Sequence, residues 1–143
     1  MEKQTIAILE ECCKGCKMAV DSMNQISEYV YDEKLKKIIF DSKKKHMELE
    51  EKAVAALNDH QREEKEPGVM ASTFSKVMTD MKMMMKDDSR QVAKLMMDGC
   101  NMGIQSIMEV LHTNPGADKK SKEIAKEIIA EEEKFVEAIK PFL

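Results

Sequence analysis

Apolar residues recur along this chain at intervals of three and four, the signature of helices that each bury one stripe. Over residues 5–31 the stripe is Ile6, Leu9, Cys13, Cys16, Val20, Met23 and Val30. Over residues 32–58 it is Leu35, Ile39, Ser42, His46, Leu49, Ala53 and Leu57, with Asp32 placed to cap the start. Over residues 88–112 it is Val92, Met96, Cys100, Ile104, Ile107 and Leu111. Over residues 118–140 it is Ile124, Ile128, Glu132, Phe135 and Ile139, continuing to Phe142.

The breaks between stripes define the topology. The turn before Asp32 is so short that the first two helices must pack antiparallel. The polar stretch over residues 58–68 ends in Pro67-Gly68, a breaker pair, and begins a long crossover. A shorter amphipathic helix is expected inside it, at residues 71–85. Asp88, with Gln91 three residues later, makes a capping-box-like start for the third long helix. Asn114-Pro115-Gly116 turns the chain into the fourth. The predicted fold is therefore all-α, an antiparallel four-helix bundle formed by one domain over residues 1–143.

The first and third helices resemble each other. Gly15-Cys16-Lys17-Met18-Ala19-Val20-Asp21-Ser22-Met23 aligns with Gly99-Cys100-Asn101-Met102-Gly103-Ile104-Gln105-Ser106-Ile107 at an offset of 84 residues. Glycine, cysteine, methionine and serine repeat, and valine is exchanged for isoleucine. The second and fourth helices align more loosely, Ile38-Ile39 over Ile128-Ile129. A helical hairpin repeated across a crossover describes a bundle with a pseudo-two-fold axis.

Composition agrees with helices and narrows the function classes. The 143 residues include only five Gly and three Pro, and 35% are charged. Aromatic residues are 4% and Trp is absent, so the core is aliphatic, with methionine (fourteen in all) filling gaps. Net charge is −4, with no basic stripe and no aromatic stacking platform, which argues against nucleic-acid binding. No run approaches the ~20 apolar residues of a membrane span. The N-terminal stretch lacks the basic head and apolar run of a signal peptide, so a cytoplasmic setting is expected. There the four cysteines, three of them within five residues, are expected as reduced thiols.

The segments ECCKGCKMA, KKHMELEEKA, FSKVMTDMK, DGCNMGIQS and AEEEKFVEAIKPFL resemble the ferritin-like superfamily, in a rubrerythrin-related layout and closest to its small uncharacterised branch. The resemblance spans nearly the whole chain and implies the bundle fold. The superfamily's di-iron centre takes one Glu from each of two helices and a Glu-x-x-His from each of the other two. Glu-x-x-His occurs once, at Glu109-Val110-Leu111-His112 by the end of the third helix, and not at His46 or in the fourth helix. Lys43 stands three residues before His46, and the central stripe positions of the first and third helices are Cys16 and Cys100. Glu10, Glu11 and Asp98 sit at the edges of the stripes. An intact carboxylate di-iron site is not expected.

The residues that remain for chemistry are Cys12, Cys16, Cys100, His46 and Glu132. Cys12 and Cys16, like Met96 and Cys100, are four apart and share a helix face with β-carbons about 5–6 Å apart. That is too wide for a disulfide, which wants about 3.5–4.5 Å, but it suits two thiolates on one soft ion. Thiolate, thioether and imidazole together favour a single Cu(I) or Zn ion. Against this, buried cysteines commonly serve as small apolar residues. His46 and Glu132 can likewise be structural partners, and a carboxylate among aliphatic side chains must be satisfied by something.

Three functions follow. The chain is a non-enzymatic bundle that binds a partner or self-associates as a homodimer, with Met78–Met85 as a contact surface for a protein partner. Alternatively it is a soft-metal or thiol-redox module, or it retains a di-metal oxidase centre through His46 and Glu132. No nucleophile triad, phosphate loop or dinucleotide fingerprint is present.

Overall fold

The computed structural model describes residues 2–62 and 88–143. They form four long helices, α1 (Glu2–Ile26), α2 (Glu33–Asp59), α3 (Ser89–Thr113) and α4 (Lys119–Ile139). Short 3-10 turns follow α1 at Ser27–Tyr29 and α4 at Lys140–Phe142. The element expected at residues 71–85, with its methionine cluster, lies outside the described residues.

Three of the helix starts are set by aspartates. The carboxylate of Asp32 accepts from the Leu35 N–H, that of Asp88 from Gln91 and that of Asp118 from Ser121, at 3.0, 3.0 and 2.8 Å. Each satisfies a first-turn donor that the helix leaves without a partner. The observed α2, α3 and α4 begin one residue after these caps; Asp32 and Asp88 are the capping residues expected from the sequence, and Asp118 is the expected start of the fourth helix.

Helix α1 departs from the expectation at both ends. It begins at Glu2 rather than near Thr5, and the Thr5 hydroxyl instead accepts the Asp118 N–H at 2.8 Å, tying α1 to the start of α4. It stops at Ile26 rather than at Tyr31. The Ser27 hydroxyl bonds back to the Asn24 carbonyl at 2.8 Å, and Val30 is extended, with φ −99° and ψ 118°. Serine competes for backbone partners, and Asp32 can cap α2 only if the chain before it has left the helical conformation.

The packing follows the stripes. Helix α1 contacts α2, α3 and α4, and α4 also contacts α2 and α3. Every predicted stripe position of α2 is buried. The apolar core divides into two clusters. One gathers Leu9, Cys12, Cys16, Leu49, Leu57 and Ile128. The other gathers Met23, Leu35, Ile39, Met96, Cys100 and Phe135. Between them on α2 and α4 come Ser42, His46, Glu131 and Glu132, all buried. The apolar core is thus interrupted near mid-height by a polar layer, which is where the candidate site lies.

No helix among the described residues is long and apolar enough to cross a membrane. Cross-helix ion pairs such as Lys52–Glu127, at 3.2 Å, lie on exposed surface and contribute little. The run Lys43-Lys44-Lys45 is a solvated face, with Lys43 and Lys44 over the Phe40 ring at 5.4 and 5.6 Å.

Candidate functional site

The polar layer is built around one contact. His46 projects from α2 and Glu132 from α4, both inside the bundle, and the imidazole Nε2 meets the carboxylate Oε1. The other ring nitrogen, Nδ1, lies 2.8 Å from the Ser42 carbonyl, one helical turn back. A carbonyl oxygen only accepts, so Nδ1 carries a proton. Opposite the carboxylate Nε2 can carry a proton as well, and that contact favours the imidazolium form. Burial disfavours that charge, but the Glu132 hydrogen bond and charge outweigh it, with the Ser42 carbonyl and Glu131 adding in the same direction. The pKa of His46 is therefore raised above its usual value.

The Glu132 carboxylate has a second neighbour. Cys100 comes from α3 to line the same crevice as Glu132, and burial, together with the adjacent Glu132 and Glu131 carboxylates, pushes its thiol pKa up. Cys12 and Cys16 on α1 are raised as well, in both cases chiefly by burial. Glu132 is among the charges acting on Cys16, but not among those acting on Cys12. These three cysteines are free thiols, held protonated at neutral pH.

The structure thus joins some of the five sequence-derived candidates and separates others. His46, Glu132 and Cys100 form a connected chain across α2, α4 and α3. Cys12 and Cys16 pack in the other apolar cluster. Among the described residues, no group of three or more His, Cys, Asp and Glu is arranged to hold a metal ion. One Glu132 oxygen, Oε1, is taken by His46, while Oε2 faces Gly103 on the crevice side.

Beside this chain a crevice opens between α1 and α3. Its volume is about 90 Å³ and its wall is almost wholly apolar, with Glu132 at its polar end. Met18 and Met23 of α1 face Met96, Cys100 and Met102 of α3 across it. The space exists because the helix surfaces are cut back there. A methyl group at Gly99 would meet nothing within 4 Å, and one at Gly103 would sit 3.6 Å from Glu132 Oε2.

The sequence pattern did not single out this methionine lining or the buried Glu131. A signal was present, since Met18 and Met102 are equivalent in the internal repeat, and Met96, Cys100 and Gly103 are spaced to share one face of α3. Comparison of the chain with protein-family models, with curated proteins and with solved structures gives no match.

Proposed function

We propose that this protein is a non-enzymatic binding bundle of ferritin-like, antiparallel layout, in which a His–Glu pair stands where the superfamily places metal-bridging carboxylates. Its ligand site is the crevice between α1 and α3. The antiparallel layout is supported by the two core clusters, which unite the early part of α1 with the late part of α2, and the late part of α1 with the early part of α2.

One observation carries the reading. The central carboxylate is already paired with His46, while an open, apolar, methionine-lined space lies directly beside it. Apolar concavities with one convergent polar group are the usual form of small-ligand sites. The adjoining thiols offer no ready nucleophile, because burial holds them in the protonated form.

The test uses the full chain with ¹³C-labelled methionine methyls. Small apolar probes, xenon or benzene, are expected to shift the methyl signals of Met18, Met23, Met96 and Met102 saturably. No saturable shift at these methyls would overturn the crevice as a binding site. Stoichiometric uptake of a pair of Fe(II) ions, abolished by Glu132→Ala, would overturn the non-enzymatic reading in favour of a retained di-metal centre.

A further inference from the structure

The lining of the crevice narrows the chemistry of what it binds. Four methionines and one cysteine from two helices line a single space of about 90 Å³. A water needs only ~10–15 Å³, so the space admits a larger occupant. Met23, Met96 and Cys100 are buried in the same core cluster, at 3%, 5% and 5% exposure. Met102 is 41% exposed and stands at the mouth. Sulfur-bearing side chains therefore line the crevice both at the surface and in its buried part.

Charge decides between candidate ions. An apolar space penalises net charge heavily. One monovalent cation bound to one thiolate is neutral, whereas a divalent ion bound there leaves an uncompensated charge. Donor type points the same way. Zinc sites are built from thiolate, imidazole and carboxylate, no such cluster of three occurs among the described residues, and thioethers favour Cu(I).

We propose that this crevice binds one soft monovalent metal ion, Cu(I) being the biological example, through Cys100 Sγ and the thioethers of Met23 and Met96, with Met18 and Met102 nearer the entrance. The inference rests on the reading of the same crevice as the ligand site. Binding replaces the S–H bond of Cys100 by a sulfur–metal bond and releases one proton. No electron is transferred. The proton passes to solvent, and Glu132, which lines the same crevice, is a carboxylate along its way. This donor set differs from a site on Cys12 and Cys16, which pack in the other cluster.

The experiment titrates the full, reduced chain with Ag(I), a redox-silent probe, and with Cu(I) against a chromophoric chelator, both without oxygen. The methionine methyl signals are followed throughout. The expected result is one ion per chain, one proton released per ion, and shifts at the methyls of Met18, Met23, Met96 and Met102. Cys100→Ser is expected to weaken binding by more than about 100-fold, beyond what the loss of a mere supporting group costs. Met23→Leu and Met96→Leu conserve volume and keep the fold, and each is expected to weaken binding too. Unchanged affinity in these leucine variants would overturn the proposal, as would loss of binding on Cys12→Ser with Cys16→Ser alone. Shifts confined to Met78–Met85, or a preference for Zn(II), would also overturn it. Xenon or benzene shifting the crevice methyls where Ag(I) does not bind would refute the metal and leave the binding site. Failure of both the apolar probes and Ag(I) would refute both.

Discussion

His46 and Glu132 stand 86 residues apart in the chain and meet inside the bundle, the imidazole wholly buried and the carboxylate nearly so. Each is the reason the other can be charged there. Removing one member of a buried pair strands the other, which typically costs about 3–5 kcal/mol. Glu132→Ala and His46→Ala are each expected to lose stability on that scale. The double variant is expected to lose less than the sum of the two, because the second change removes a group the first has already stranded. Urea unfolding of the three variants measures this directly, and additive losses would show that the contact contributes nothing.

The same pair gives stability a pH dependence of definite sign. The folded pKa of His46 is raised above its unfolded value, about 6.5. The native state therefore holds a proton that the unfolded state releases first. The contribution is fully present below about pH 6.5 and fades as pH rises through the raised folded value. Urea midpoints from pH 5.5 to 9 are expected to fall across that window. In Glu132→Gln the imidazolium loses its counter-charge, so the fall is expected to shrink.

Thiol reactivity follows from burial. Cys12, Cys16 and Cys100 are buried and their pKa values are raised. In the folded protein they are expected to react with a disulfide reagent far more slowly than a free cysteine, and to react at once in urea. Fast labelling of the native chain at neutral pH would show that the core opens readily.

Gly99 lies exposed within α3, in the crevice wall, with open space where a β-carbon would stand. Gly99→Ala removes glycine's helix penalty without a clash. It is expected to stabilise the chain by about 1 kcal/mol, a rise in melting temperature of about 2–4 °C for a domain of this size. A loss of stability would mean that the glycine serves close packing that the crevice geometry does not show.

The helices were legible in the sequence because their signals are local. The stripe of α2 is buried at every position read from its period, and Asp32 and Asp88 cap the helices they precede. The apolar period continues to Val30, past the end of α1 at Ile26. The Ser27 side-chain bond and the extended residue before the next cap end the helix regardless.

The candidate site was legible only in part. His46 and Glu132 stood out as polar residues on apolar stripes, and each demands a partner. Periodicity states which face a residue occupies, so it places both inward. It does not state the height at which two helices dock.

What the sequence determined by itself is therefore the set of four helices, their caps and their buried faces, all decided by interactions within a few residues. The tertiary structure decided which buried groups meet: that His46 pairs with Glu132, that Cys100 joins them while Cys12 and Cys16 pack in the other cluster, and that Met18, Met23, Met96 and Met102 share one crevice. Those relations depend on how helices far apart in the chain slide and rotate against one another. That alignment is set by the packing of the whole core rather than by any local pattern.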